Sequence, residues 1–148
     1  EWLLNQGEEA VTQVGVMGFC MGGRFAVLYA SQAPVQVVAP FYGGIPKNVK
    51  DVTGICPAVG GWGRTDMIYG DHGDRLAKHM EALGVPHDIK TYEEVGHSFM
   101  NDHQTFTFKK LGPLPPLRSK FDAGASEDSW QRVLVFFEKV FSGEIGSR

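Results

Sequence analysis

The chain has little cysteine, no excess of positive charge and no long apolar run, and each shortage closes off a class of function. Two cysteines in 148 residues, Cys20 and Cys56, are too few for a disulfide framework, so a reducing, cytoplasmic location is the expectation. Fourteen Lys and Arg against seventeen Asp and Glu leave a net charge of −3, which offers no basic field to nucleic acid and no polybasic patch to a membrane. No apolar stretch nears the roughly 18 residues that a membrane span needs. The histidines show no zinc-type spacing, and no metal or cofactor is expected. An initiating methionine is also missing, and Glu1 to Gln6 read as the last turns of a helix that begins upstream.

What is present alternates strands with helices. Val11 to Phe19 read as an apolar strand of the kind buried in the middle of a parallel sheet. Gly22 to Ala30 read as a helix, with Phe25, Leu28 and Tyr29 apolar, packed tightly on that sheet. Val35 to Tyr42 and Cys56 to Trp62 are further apolar strands, and Cys56 is read as a core residue. Asp71 to Leu83 form an amphipathic helix with Asp71 as N-cap, Leu76, Met80 and Leu83 in one stripe, and Gly84 closing the end. Val85 to Tyr92 are more polar and belong nearer an edge. Ser126 is the expected cap of a last helix with a stripe of Trp130, Val133, Leu134, Phe137 and Phe141. The pattern predicts an α/β fold, a mainly parallel sheet flanked by helices, in a single domain. Residues 45–55 read as a solvated connection. Residues 104–125, with three prolines and little periodicity, read either as a lid or as an exposed insertion.

The chemistry centres on Gly18-Phe19-Cys20-Met21-Gly22, a G-x-C-x-G run between a strand and a helix. This is the pattern of a nucleophile elbow, with cysteine in the place usually held by serine. The turn strains the nucleophile's backbone, and Gly18 and Gly22 are expected to leave the room it needs. The N-terminus of the following helix favours the thiolate form. A nucleophile needs a base, and the base needs an orienting carboxylate. Asp66 directly follows the third strand; Asp71 and Asp74 compete for that role, but capping of the next helix explains them. Among five histidines, His79 falls on a helix flank, His87 in a strand, and His72 and His103 in loops. His97, in Gly96-His97-Ser98-Phe99, alone stands at a strand end behind a glycine.

These residues resemble the dienelactone hydrolase family of α/β-hydrolases. The resemblance rests on the Gly-Phe-Cys-Met-Gly-Gly elbow at 18–23, the Gly-x-x-Asp turn at 63–66 and the Gly-His-Ser-Phe segment at 96–99, and it covers nearly the whole chain. It implies Cys20 as nucleophile, His97 as base, Asp66 as orienter, and the Met21 amide as oxyanion donor. It also implies a substrate site lined by Phe19, Tyr42, Trp62, Phe99 and Asn101. In dienelactone hydrolase proper an arginine stands four residues after the histidine and helps hold the substrate's carboxylate, and here that position is Asn101. Family members are longer, so residues 1–148 resemble the C-terminal portion of one such domain, a partial α/β-hydrolase fold with the first strands absent. The function so implied is hydrolysis of a small-molecule ester or lactone through a covalent acyl-enzyme, with neither nucleic acid nor membrane as partner. The alternative is a non-catalytic or truncated ligand-binding remnant. A redox-sensing thiol is disfavoured, because no second cysteine stands at a resolving spacing. Nothing in the sequence sets an oligomeric state.

Overall fold

Four parallel strands in the order β1-β2-β3-β4 carry the fold, in a computed structural model that describes residues 12–102 and 105–146. The strands are β1 (Gly15–Phe19), β2 (Val37–Phe41), β3 (Ala58–Gly63) and β4 (His87–Tyr92). The helices are α1 (Met21–Ala30), α2 (His72–Leu83), a short α3 (Phe106–Leu111) and α4 (Ala123–Phe141), with a 3₁₀ turn at Val49–Val52. The helix expected at Glu1 to Gln6 lies outside the described residues. No helix among them is long and apolar enough to cross a membrane.

Every residue of β2 and β3 is buried, as the apolar runs require of strands covered on both faces. β4 is half-buried throughout and stands at the edge. Its alternation shows how the helices divide between the faces. Asp88, Lys90 and Tyr92 bond to Arg132, Asp128 and Ser129 of α4, while Thr91 bonds to Asp74 of α2. Side chains two apart share a face, so α2 and α4 lie on opposite sides of the sheet. α1 packs on β1 and β2, and both α1 and α2 touch the 3₁₀ turn, which places them together on the face opposite α4.

Several local expectations are corrected. α1 meets the sheet through Gly23, Ala26, Val27 and Ala30, not through its large residues; Phe25 and Tyr29 are exposed. The cause is close approach: a Cβ on Gly23 would lie 2.9 Å from the carbonyl oxygen of Phe41. α4 buries Val133, Phe136 and Val140, with Phe137 and Phe141 partly covered and Trp130 and Leu134 exposed. Its cap is Asp122, whose side chain accepts the Ala125 N–H at 2.8 Å, and Ser126 is a buried first-turn residue. Asp71 stands at the N-cap position of α2, but its side chain makes no capping bond and reaches Arg75 instead; Gly84 closes the helix at φ 65°. The 45–55 connection is only half solvated. Lys47 and Lys50 are exposed while Ile45, Val52 and Ile55 enter the core, and His79 Nε2 lies 2.9 Å from the Pro46 oxygen. Cys56 is buried.

Among the described residues β1 pairs only with β2 and is mostly half-buried. Beside it α1 exposes Met21 (67%) and Phe25 (57%). An apolar edge with no partner strand among the described residues invites pairing with a second copy. The 148-residue chain is therefore expected to self-associate at micromolar concentration in sedimentation velocity; a monodisperse monomer would refute this.

Candidate active site

Only Cys20 separates β1 from α1, so one residue makes the whole turn. Its φ of 54° and ψ of −120° lie where residues with a Cβ rarely go, at a cost of about 1–3 kcal/mol. The neighbours hold it there. Its N–H donates to Phe41 O at 3.0 Å, and its own carbonyl accepts from the amides of Gly23 at 3.0 Å and Arg24 at 3.3 Å. The Cys20 side chain is exposed. The demand for glycine falls differently from expectation. A Cβ on Gly18 would run into the carbonyl of Gly22, whereas one on Gly22 would meet nothing within 4 Å among the described residues. Gly18 and Gly23 are the constrained positions.

Asp66 and His97 come together across the ends of β3 and β4. His97 Nδ1 lies 2.7 Å from Asp66 Oδ2, and both residues are 2% exposed. The other carboxylate oxygen accepts from the amides of Ile68 at 2.9 Å and Tyr69 at 3.1 Å, so the buried acid is fully satisfied. A carboxylate facing Nδ1 favours the tautomer with the proton on that nitrogen, in which Nε2 is the acceptor. The competing carboxylates are occupied elsewhere. Asp74 takes a forked bond from Arg64 and another from Thr91, and the Arg64 bond holds its carboxyl below the usual range. Asp71 faces Arg75 at the surface. His72 Nδ1 accepts the Ile45 N–H at 2.7 Å, and burial, then Arg75, lower its pKa.

The segment expected to be a lid or an exposed insertion is exposed over most of its described residues, and its second half braces the site. Pro116 O accepts the Met67 amide at 3.0 Å, and Leu117 O accepts the His97 amide at 3.0 Å. Lys120 N donates to His97 O at 3.3 Å, and Asp122 N to Phe99 O at 3.0 Å. Gly96 has no room for a side chain because the Arg118 carbonyl lies against it. One strap thus holds both the Asp66 turn and the His97 segment. The prolines at 113, 115 and 116 flagged this stretch in the sequence, but no pattern there disclosed its partners.

The residues expected to line a substrate site separate into two groups. Phe19 and Tyr42 stand at the elbow, their rings 6.0 Å apart, and Tyr42 meets the His97 ring edge-on at 5.1 Å. Tyr42 is wholly buried and has φ 39°. Trp62 and Phe99 are also wholly buried and have no surface to offer a ligand in this structure. Trp62 Nε1 donates to Gly43 O at 2.9 Å, and Phe99 packs on Tyr42 and Tyr92. Asn101 is exposed, on a cleft of about 280 Å³ shared with Lys109 and Lys120. Met21 opens α1, directly after the bent Cys20. Tyr69, missed in the sequence, adds a ring 5.6 Å from His97.

The sequence profile of the dienelactone hydrolase family matches residues 1–141, nearly the entire chain. The chain belongs to that family. A carboxymethylenebutenolidase from Rhodococcus opacus is 34% identical over 140 residues, covering 86% of this chain and 50% of the relative. Two solved structures share the fold: m3DLH, with a TM-score of 0.65, 18% identity and coverage of 85% of this chain and 51% of that one, and MGS-M1, an α/β-hydrolase enzyme from a Medee basin deep-sea metagenome library, with a TM-score of 0.63, 13% identity and coverage of 86% and 54%. The chain spans about half the length of the curated relatives it matches.

In this dienelactone hydrolase family member the elbow geometry makes a contrast testable by urea unfolding. Gly18→Ala is expected to cost more than about 3 kcal/mol, since backbone must move. Gly22→Ala, in an open helical position, is expected to be neutral or to stabilise by about 0.4–1 kcal/mol. Equal effects would contradict this account.

Proposed function

We propose that the chain carries the catalytic groups of an ester or lactone hydrolase, with Cys20, His97 and Asp66 acting as a triad through a covalent acyl-enzyme. The observation that carries this reading is the buried Nδ1–Oδ2 bond of 2.7 Å, at the same end of the sheet as the strained, exposed Cys20. A buried histidine–carboxylate pair fixes one tautomer and readies Nε2 for proton transfer. In the first half-reaction the Cys20 thiol passes its proton to His97 Nε2, and the resulting thiolate adds to the substrate carbonyl carbon, whose oxygen takes the electron pair as an oxyanion beside the Met21 amide. Collapse breaks the bond to the alcohol oxygen, which takes a proton from the His97 imidazolium. Water then gives its proton to His97 and adds to the thioester. Collapse of the second oxyanion breaks the C–S bond, releasing the acid and restoring the thiolate. Asp66 keeps its charge throughout and steadies the imidazolium.

Hydrolysis of an aryl ester by the protein tests the roles. Cys20→Ala and His97→Ala are expected to lower kcat/KM by about a thousandfold or more, and Asp66→Asn severely, whereas Asp71→Asn changes little. A damaging Asp71→Asn beside a silent Asp66→Asn would refute the assignment of the acid. A wild-type chain with no turnover would favour the alternative of a ligand-binding remnant.

Asn101 bears on substrate charge. An amide cannot supply the charged fork of a guanidinium, which contributes about 1.5–3 kcal/mol to holding a carboxylate. A neutral ester or lactone is therefore expected to be preferred over a carboxylated one. Asn101→Arg is expected to raise kcat/KM for the carboxylated substrate by about tenfold or more. A strong native preference for the carboxylated substrate, unmoved by the substitution, would refute this.

A further inference from the structure

A cavity of about 720 Å³ opens between α1, α2 and the connection at 45–51, and none of Cys20, Asp66 and His97 lines it. Cations reach it from three directions: Arg24 of α1, Arg75 of α2 and Lys47 of the connection. Asp51 is the one carboxylate in its lining. On a chain of net charge −3 this is a local reversal of sign. Of the three cations, Arg75 alone has an ion pair among the described residues, an exposed one with Asp71 at 3.4 Å. The walls are held firmly. His72 Nδ1 accepts the Ile45 N–H at 2.7 Å, Arg75 Nη1 donates to Ile45 O at 3.1 Å, and His79 Nε2 lies 2.9 Å from Pro46 O. Because its Nδ1 accepts, neutral His72 carries its proton on Nε2, and burial, then Arg75, lower its pKa and keep the ring neutral. Arg75 Nη1 lies 3.2 Å from that Nε2 but has no lone pair to accept its proton, and the Asp71 carboxylate is 3.8 Å away. Arg24 is placed by a glycine: a Cβ on Gly44 would come within 3.6 Å of Arg24 Nη1 and 3.3 Å of the Tyr69 ring. That ring packs edge-on against His72 and lies 5.6 Å from His97, so it stands between the cavity and the His97–Asp66 pair.

We propose that this cavity is a second small-molecule site, which binds a phosphate monoester through Arg24, Lys47 and Arg75. The lining offers two guanidinium groups, an ammonium and an imidazole N–H, so donors outnumber acceptors and the missing partner is an anion. A phosphate dianion brings three acceptor oxygens and a charge near −2, which suits guanidinium forks better than the two oxygens and single charge of a carboxylate. Leu28, Ile45 and Pro46 add apolar surface to the same lining, where the carbon skeleton of the ester would rest. The volume falls in the range of about 300–1,000 Å³ usual for small-molecule sites, more than a bare phosphate ion fills. The site draws on neither Cys20 nor His97 and stands whether or not the chain hydrolyses an ester.

Equilibrium dialysis of the 148-residue chain against phenyl phosphate tests this, at about pH 7.5, where the phosphate is dianionic. One saturable site per chain is expected, with inorganic phosphate and benzoate each binding more weakly. Arg24→Gln, at an exposed position, is expected to weaken phenyl phosphate binding by about tenfold. Asp51→Asn removes the one carboxylate of the lining and is expected to tighten binding by about twofold. Lys110→Gln, on α3 and outside the cavity, is expected to change nothing, and alkylation of Cys20 by iodoacetamide is expected to leave the site intact. Absence of saturable binding to the wild-type chain would overturn the proposal. So would a loss in Lys110→Gln equal to that in Arg24→Gln, which marks attraction to surface charge in general. Loss of binding on alkylation of Cys20 would put the ligand in the candidate active site and would also overturn it, and benzoate binding as tightly as phenyl phosphate would overturn the choice of phosphate.

Discussion

The bond between His97 and Asp66 is the constraint around which the rest is arranged. Two ionisable side chains are held away from water, and such burial is tolerated only when every polar atom has a partner. The satisfaction is supplied by backbone. The Asp66 turn gives two of its own amides to the carboxylate, and the strap at 116–122 takes up the amides of Met67 and His97. Those bonds require chains to pass within van der Waals contact, which is why glycine stands at 63 and 96. A Cβ at either position would strike a carbonyl of the adjoining segment.

Backbone strain gathers at the same end of the sheet. Among the described residues four with a side chain have positive φ: Cys20, Tyr42 and Ser98 follow β1, β2 and β4 respectively, and Arg118 lies in the strap. Each costs free energy that the packing around it must offset. Unlike the carboxylate, Tyr42 ends with a buried donor unused. A structure optimised for stability alone would have relieved both the strain and the orphaned hydroxyl, so their coincidence beside the elbow sets this corner apart from the core below it.

Much of this was legible in the sequence because it is written in local rules. Continuous apolar runs marked β2 and β3, and polarity placed β4 at the edge. Glycine spacing marked the elbow, and chain order singled out Asp66 and His97 before any distance was known. The failures on the helices were of one kind. Periodicity finds apolar positions on a helix, but it does not tell which apolar stripe faces inward when two are present. On α1 the small residues Gly23, Ala26 and Ala30 win, because a helix close to the sheet has no room for Phe25 or Tyr29. On α4 Asp128 and Arg132 pair with Lys90 and Asp88 of β4, on a helix that turns Val133 and Phe136 inward and Leu134 outward. The strap was illegible for a different reason. It acts through main-chain carbonyls, and side-chain identity says nothing about where a carbonyl points.

The parallel sheet itself decides that these groups meet. When strands run in one direction, every strand ends on the same side, and each connection must turn there before its helix begins. The turns after β1, β2, β3 and β4 deliver Cys20, Tyr42, Asp66 and His97 to that side. Residues up to 77 positions apart in sequence (97 − 20) are thereby gathered with no contact designed along the chain between them. The register fixes the level at which each strand ends. Phe19 pairs with Phe41, Phe41 with Gly61, and Gly63 with Tyr92, so successive ends are offset by only a few residues across the sheet. A slip of one residue in β2 would turn Tyr42 to the other face, away from His97. The buried apolar pattern of β2 and β3 forbids that slip, because it would exchange which side chains face α4 and which face α1 and α2 on both sides of a packed core. The hydrophobic interior therefore sets the coordinates of the polar site.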